Sequence, residues 1–292
     1  MNKKLISVLK KLSHFPKIFQ IVAQVFFKVE PQGIENTKLI ICSGMPNLIY
    51  AAYLSRKYQI PLLYSGGTRK FNIALINWIV ASVAESNACT QIIVPVGPTL
   101  AQFAAIRNTQ PLQEASLLLG GATEEYPFNA QHMSTMIENF TQFCRKHDLQ
   151  GNIVTSRRTA PFALNIQQSI SQQQLHLITP TQNIAVCDIL QRSQYVFVTA
   201  DSDTMLSEAL HTGRTVISVD LNETTPSFFD PLIAQHYLQR KTIENLHTAI
   251  KMPSPLMRNA IAQPILNTLN PMLKNSILQN TAHSPNAIQH FA

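Results

Sequence analysis

Short apolar segments alternate with helical segments along most of the chain, and this alternation limits the folds that are open to it. Parallel strands need such connections, because each crossover requires a helix or a long loop. In the second half, candidate strands with their following turns lie at residues 116–123, 152–161, 175–179, 195–202 and 215–219. In the first half, candidate strands lie at residues 38–42, 60–64 and 91–96. The sequence therefore predicts an α/β fold with two Rossmann-like domains that face a cleft, the N-terminal domain being short.

The segments between the strands have the length and spacing of helices. They lie at residues 47–57, 71–84, 131–147, 183–190 and 204–213, and a helical pattern continues after about residue 224 to a last helix near 256–277. A chain of 292 residues is comfortable for two domains. A polar stretch at 107–111 separates the two series of strands. The predicted organisation is a basic N-terminal segment (1–30), an N-terminal domain (31–112), a C-terminal domain (113–278) and a frayed tail (279–292).

The positive charge of the chain is concentrated at its N-terminus. The net charge is +7, and residues 1–29 contain six lysines and no Asp or Glu. Because the charge is local, nucleic acid is not an expected partner. Apolar residues at helical spacing accompany the lysines at Ile18, Phe19, Val22, Val25, Phe26 and Val29. Two interpretations stay open: the segment lies on an anionic membrane surface, or it packs on the N-terminal domain with its lysines in water.

Cysteine usage and hydropathy indicate the compartment. The four cysteines are far apart and form no Cys-x-x-Cys pair, so the pattern indicates no zinc or redox site. Reduced thiols are typical of a cytosolic protein. No apolar run reaches the roughly 18–20 residues that span a bilayer, and no signal peptide is recognisable. We expect a cytoplasmic protein, with peripheral attachment to the inner face of the cytoplasmic membrane as a further possibility.

The first half contains few residues of the types that act as catalytic acids or bases. Glycine-containing loops follow two of its strands, at Ser43-Gly44 and at 65–70, and the second contains Arg69 and Lys70. Such loops bind anions in some proteins but are more often simple turns. Between residues 31 and 113 the only carboxylates are Glu35 and Glu85. Glu85 is therefore the candidate general base of this half.

Three motifs in the second half each follow a predicted strand. They are Leu-Gly-Gly-Ala-Thr at 119–123, Thr-Ser-Arg-Arg-Thr at 155–159 and the segment 198–209, which contains Ala-Asp-Ser and then Met-Leu-Ser-Glu-Ala. The carboxyl ends of parallel strands lie at one edge of a sheet, where α/β proteins bind ligands. The motifs are therefore expected to form one site.

These motifs resemble the bacterial branch of the mitochondrial-fission "elongated mitochondria" protein family, which has a GT-B glycosyltransferase-like fold. The resemblance covers about residues 115–220 and extends to the N-terminal domain only in outline. It implies that the C-terminal domain binds a nucleotide sugar and that the N-terminal domain faces the acceptor. The sugar nucleotide is then a substrate, and neither a cofactor nor a metal is implied.

The resemblance also implies roles for single residues. Gly120 and Gly121, with Thr123, would present backbone amides to the phosphates. Ser156 and Arg157 would reach the pyrophosphate, with Arg158 as the second candidate, and Arg157 would stabilise the leaving diphosphate. Asn183 and Ile184 would border the base, and Glu208 would hold the ribose hydroxyls. Asp201, Ser202 and Ser207 would bind from the N-terminal end of the following helix.

Each of these residues also has a structural explanation. Asp201 and Ser202 could cap the following helix, the two arginines could lie in a solvated turn, and Glu208 could be a surface acid. Two functions remain open. The first is a glycosyltransferase that uses a nucleotide-activated sugar donor on a lipid or cell-surface glycan acceptor such as lipopolysaccharide. The second is a non-catalytic, membrane-associated binding or scaffold protein, a function that the organelle-fission role of the family's plant members implies.

Overall fold

The computed structural model describes residues 2–29, 31–82, 89–99, 101–171, 173, 175–222, 227, 229–255, 257 and 260–271. Within these ranges the chain forms two compact units. The first contains Met1–Gly97 together with the described residues from Ala260 onward, and the second contains Pro98–Asn259. The candidate base Glu85, the predicted end of the last helix and the predicted tail at 279–292 lie outside the described residues.

The division between the units falls after Gly97, whereas the sequence predicted a boundary near residue 112. The intervening segment belongs to the second unit because hydrogen bonds tie it there. The Arg214 guanidinium donates to the carbonyl oxygens of Ile106 and Thr109 and to the Thr109 hydroxyl at 2.8–3.3 Å. Arg107 donates to the carbonyl oxygen of Ser254 at 2.9 Å. The polar stretch is thus a bonded part of the second unit rather than a linker.

A parallel sheet with the order β1–β2–β3–β4 forms the centre of the first unit. Its strands are β1 (Ile40–Ser43), β2 (Leu62–Ser65), β3 (Trp78–Ala81) and β4 (Thr90–Ile93). The N-terminal helices α1 (Lys3–Leu12) and α2 (Pro16–Phe26) pack against α3 (Met45–Tyr58), which connects β1 to β2. Pro16 begins α2 and separates it from α1, as expected for proline at a first helical position.

The helix predicted for residues 71–84 is wrong, because β3 occupies residues 78–81. This strand pairs with β2 and β4, and the Asn77 side chain accepts a hydrogen bond from the Leu62 amide at 2.9 Å just before it. Ile79 and Val80 are buried, and β-branched side chains suit a strand. A short apolar run cannot by itself distinguish a buried strand from a helix.

The second unit contains a six-stranded parallel sheet. Its strands are β5 (Glu114–Leu118), β6 (Gln150–Val154), β7 (Leu175–Ile178), β8 (Ser193–Thr199), β9 (Thr215–Asp220) and β10 (Gln239–Thr242). Its helices are α4 (Ala101–Ala105), α5 (Ala130–Lys146), α6 (Ala163–Ser171), α7 (Val186–Arg192), α8 (Asp203–His211) and α9 (Asp230–Ala234). The spatial order is β7–β6–β5–β8–β9–β10, which is the Rossmann order. The order reverses between β5 and β8, so a ligand site is expected where these two strands end.

The helical pattern predicted after residue 224 is wrong for part of this region, because β10 lies at the edge of the sheet. The strand reads Gln-Arg-Lys-Thr and contains no apolar residue. Its Arg240 contacts Asp230 at 2.5 Å and Asp220 at 3.7 Å. Pairing with β9 and these ionic contacts hold the strand in place, so hydrophobic periodicity does not reveal it.

Each unit has an aromatic-rich core of its own. In the second unit Phe143 and Phe197 meet edge to face at 4.9 Å, and Phe140 contacts Phe197 in the same way at 5.3 Å. In the first unit Phe19 of α2 meets Phe71 at 6.1 Å. None of the described helices has the length and apolar content needed to cross a bilayer.

Candidate functional site

The three motifs lie together at the carboxyl edge of the second sheet, where β5, β6 and β8 end. The Gly120 amide, after β5, donates to the hydroxyl of Thr199 at the end of β8 at 2.8 Å. The Ser156 hydroxyl, after β6, donates to the carbonyl oxygen of Gly120. Arg158 forms an ion pair of 2.8 Å with Asp201, which follows β8. Each motif is thus bonded to both others at the point where the strand order reverses.

The two glycines are needed for this close approach. A Cβ atom at position 120 would overlap the Asp201 carboxylate. At position 121, where φ is +147°, it would lie 2.9 Å from the carbonyl oxygen of Arg158. The Gly120 amide already has Thr199 as its acceptor, whereas the resemblance led us to expect both amides on phosphates. The turn therefore serves at least in part to join the motifs.

A buried carboxylate occupies the centre of the site. The Asp201 side chain is fully buried. Burial raises the pKa of Asp201 above its ordinary value, while the Thr199 hydroxyl, the Arg158 guanidinium and the Gly121 amide act in the opposite direction. Asp201 is therefore more than a helix-capping residue, because its buried carboxyl group lies 2.8 Å from the Arg158 guanidinium and joins two of the motifs.

The two arginines differ in what they contact. Arg158 contacts Asp201 and has a half-exposed side chain. Arg157 is exposed, and no acid in the described part of the chain forms an ion pair with it. Arg157 is therefore the arginine that can accept an external anion without first losing an ion-pair partner among the described residues.

A pocket of about 310 Å³ lies beside Arg157, where β6 and β7 end. Its apolar wall includes Ile166, Leu177 and Pro180. Hydroxyl groups also line it, from Thr155, Ser156, Thr159, Thr179 and Thr181. Apolar walls with a few polar groups and one cation are typical of small-ligand sites.

Ser156 and Thr123 have structural partners. The Ser156 hydroxyl accepts from the Arg158 amide at 3.1 Å, in a capping box with Thr159. Thr123 accepts from the Tyr126 amide through its hydroxyl at 3.0 Å and closes a turn. Both residues set the shape of the loops that carry the site.

The N-terminus of α8 points to the same edge. Ser202 is its N-cap residue by position, but its side chain makes no capping hydrogen bond. Amides in the first turn of a helix that lack such a cap favour an anion. Asp203 in this turn has a pKa raised by burial and by the nearby Glu125 and Asp201. An anionic ligand would thus meet both an attractive helix end and a group of acids.

The remaining predicted residues lie around α7 and α8. Glu208 is half-buried, burial raises its pKa, and it is close enough to Cys187 of α7 to raise the pKa of that thiol. Ser207 beside it is buried. Asn183 and Ile184 are exposed in the loop that leads into α7, and Asn183 has a left-handed backbone with φ of 53°.

Sequence reasoning missed two features of the site. Thr199 joins the glycine turn to the end of β8, and Asp201 pairs with Arg158. A threonine at the end of a strand carries no distinctive signal. The acid and the arginine lie in different motifs, so only their expected convergence at one edge could have suggested that they pair.

Comparison with known proteins shows the family to which the chain belongs. The sequence profile of the family described as mitochondrial fission ELM1 matches residues 98–266. The chain belongs to this family. The match begins where the second unit begins and includes all three motifs. A comparison with curated protein sequences gives no match.

Solved structures with a similar fold include sugar-nucleotide epimerases. A putative UDP-N-acetylglucosamine 2-epimerase from Listeria monocytogenes is 12% identical, with a TM-score of 0.57 over 94% of this chain and 82% of that chain. The UDP-GlcNAc 2-epimerase from Methanocaldococcus jannaschii is 12% identical, with a TM-score of 0.52 over 85% of this chain and 89% of its own. The enzyme from Neisseria meningitidis, in a structure bound to UDP-GlcNAc, is 13% identical, with a TM-score of 0.50 over 90% and 82%. At these identities the likeness shows the fold, which is GT-B-like with two Rossmann-like domains.

Proposed function

We propose that the second unit binds a nucleotide-activated sugar where β5 and β8 end, and that the protein transfers this sugar to a lipid or cell-surface glycan acceptor. The observation that carries the proposal is the convergence of three loop motifs at the reversal point of a Rossmann-ordered sheet. The N-terminus of α8, where the Ser202 side chain makes no capping bond, lies at the same edge, as does Arg157, which pairs with no acid among the described residues. Sheets of this kind bind nucleotides at that point. The sugar-nucleotide neighbours agree in fold.

The phosphates of the donor would lie between Arg157 and the N-terminus of α8. Both features attract anions, and a guanidinium can bind a phosphate through two hydrogen bonds. The pocket beside Arg157 would hold an apolar or planar part of the donor. Glu208, on α8, would accept hydrogen bonds from the ribose hydroxyls.

In the transfer step the bond from the sugar C1 to the diphosphate oxygen breaks and a bond from C1 to the acceptor oxygen forms. The diphosphate leaves with the electron pair, and Arg157 stabilises its charge. Carboxylates that could act as a base for the acceptor proton are scarce in the first half. We therefore infer either a retaining mechanism or a step in which the departing phosphate takes the acceptor proton.

A binding or scaffold protein without catalysis is the second candidate. The buried Asp201, with Asp203 and Glu125 nearby, already supplies negative charge where a diphosphate would lie. A protein with such a site would retain the fold of a transferase but would no longer bind the donor. The two candidates differ in whether a nucleotide binds and whether its sugar is released.

Titration calorimetry with a panel of nucleoside diphosphates tests donor binding. We expect one of them to bind the wild type, and Arg157→Ala to weaken its binding by about 1.5–3 kcal/mol, roughly ten- to a hundredfold in Kd. Arg145→Ala is a matched control, because Arg145 is an exposed arginine of the same unit that contacts Gln173. If no diphosphate binds the wild type, the donor site is ruled out. Equal binding by the Arg157→Ala variant would place the phosphates elsewhere, with the loop at 65–70 as the next candidate.

Slow hydrolysis of a nucleotide sugar then separates the two candidates. A transferase without its acceptor often passes the sugar to water, whereas a scaffold protein does not. We expect the wild type to release nucleoside diphosphate from the sugar nucleotide whose base it binds. Binding without any release would favour the scaffold.

A further inference from the structure

Helix α2 exposes an apolar face. Ile18, Ile21 and Val25 recur at the i, i+3, i+7 spacing of one helix face, and their side chains are between 49% and 67% exposed. Apolar residues at and beyond the two ends of the helix are also exposed. Phe15 precedes α2, Phe26 is its last residue and Val29 follows it, and each is more than half exposed.

This face is not the one that joins α2 to the body of the first unit. Phe19 and Ala23 are fully buried, and the Gln20 side chain donates to the carbonyl oxygen of Tyr53 in α3 at 3.4 Å. α2 therefore has apolar residues on its outer side as well as on the side that packs against the first unit. A helix on a protein surface ordinarily presents polar residues to water, so the outer face of α2 is expected to meet a partner.

The charges around this face indicate the kind of partner. Residues 1–29 contain no acid. Lys17 lies in the first turn of α2 and Lys28 just beyond its end, while Lys10 and Lys11 form the last turn of α1. A second copy of the chain would bring the same lysines against one another, which is unfavourable. A surface that offers both negative charge and an apolar layer matches the whole segment.

We propose that α1 and α2 form a lipid-docking surface. The apolar side chains of α2 enter the boundary between headgroups and acyl chains, and the lysines contact anionic headgroups. With 11 residues, α2 is too short to span a bilayer and lies along its surface. The proposal does not depend on the sugar-nucleotide site, because a scaffold protein would use the same surface.

Vesicle sedimentation of the full chain tests this proposal. The vesicles are made of phosphatidylcholine alone or with about one third phosphatidylglycerol. We expect the wild type to bind the anionic vesicles, and the binding to weaken with added salt because exposed charges are screened. We expect the double variant Ile21→Ser, Val25→Ser to lower the partition coefficient by about tenfold or more, since both apolar contacts are lost. The double variant Lys10→Gln, Lys17→Gln should weaken binding to the anionic vesicles without changing binding to vesicles of phosphatidylcholine alone.

Leu164→Ser is the matched control, because Leu164 is an apolar residue of the second unit that is 75% exposed. It should bind vesicles like the wild type. Unchanged thermal unfolding of each variant confirms that folding is intact, as expected for exposed positions. The proposal is overturned if the wild type does not bind anionic vesicles, or if the α2 variant binds them equally well. Loss of self-association in that variant, without any vesicle binding by the wild type, would assign the face to a second copy of the chain.

Discussion

At position 120 the absence of a side chain lets the turn after β5 lie against a buried carboxylate. A methyl group there would overlap Asp201. We expect Gly120→Ala to lower the free energy of unfolding by about 1–3 kcal/mol, the usual cost of inserting an atom into a packed site. Denaturant unfolding measures the change.

Two further variants identify the cause of that loss. Gly67→Ala should change stability by less than about 0.5 kcal/mol, because a Cβ atom there meets nothing within 4 Å. Combining Gly120→Ala with Asp201→Ala removes the overlapping carboxylate, so the two losses should be less than additive. Strict additivity would show that Gly120 is needed for some reason other than its contact with Asp201.

Asp201 also makes stability depend on pH. Because burial raises its pKa in the native state, the folded protein holds this proton more tightly than the unfolded chain. Stability should therefore decrease as pH rises from about 4 through the raised native pKa. Asp203, Glu208 and Asp220 shift in the same direction. Thermal unfolding across this range should show a smaller decrease for Asp201→Asn than for the wild type, and equal profiles would contradict the assignment.

Glu208 tests the ribose end of the proposed donor site. Glu208→Gln keeps the size of the side chain and removes its charge. We expect it to weaken binding of the nucleoside diphosphate by about 0.5–1.5 kcal/mol, less than Arg157→Ala, because one contact becomes a neutral hydrogen bond. Calorimetry on the same panel measures both. A larger loss for Glu208→Gln than for Arg157→Ala would reverse the proposed orientation of the ligand.

The buried Arg214 guanidinium makes several of the hydrogen bonds that hold the segment with α4 to the rest of the second unit. Arg214 donates to Ile106 and Thr109, as described above, and also to the carbonyl oxygen of Gln191 at 2.9 Å. Arg214→Met would leave these acceptors without their donor, so we expect a loss of about 2–4 kcal/mol in the free energy of unfolding. Limited proteolysis should then cut within residues 98–112 first, and Arg145→Ala is again the control. A stable variant with unchanged cleavage would show that α4 is held by other contacts.

Elements could be predicted from the sequence where their signal was an apolar run or an amphipathic helix. The strands of the second unit from β5 to β9 follow that pattern, and so do α1, α2 and α3. β3 was mistaken for a helix because its length and composition fit both, and β10 was missed because it is held by charge and by pairing with β9. The positions of the three motifs were predictable because each follows a strand. The pairing of Arg158 with Asp201 and the acceptor of the Gly120 amide depend on tertiary contacts between motifs that are distant in sequence.

At the scale of the whole molecule, the core of each unit described above is built from its own part of the chain. One contains residues between 9 and 79, and the other contains residues between 115 and 249. Scanning calorimetry should therefore resolve two unfolding transitions. A bound nucleoside diphosphate should raise only the transition of the second unit, by mass action. One cooperative transition that shifts as a whole would show that the units unfold together.

The last described helix, over residues 260–271, belongs to the first unit, although the whole second unit precedes it in the chain. Its Ile261 and Leu269 are buried. Domains tend to fold as they leave the ribosome, beginning with the first that is complete. Here the first 97 residues emerge early but lack a helix that arrives only after residue 259. The second unit is synthesised without interruption, so in the cell we expect it to mature before the unit that precedes it.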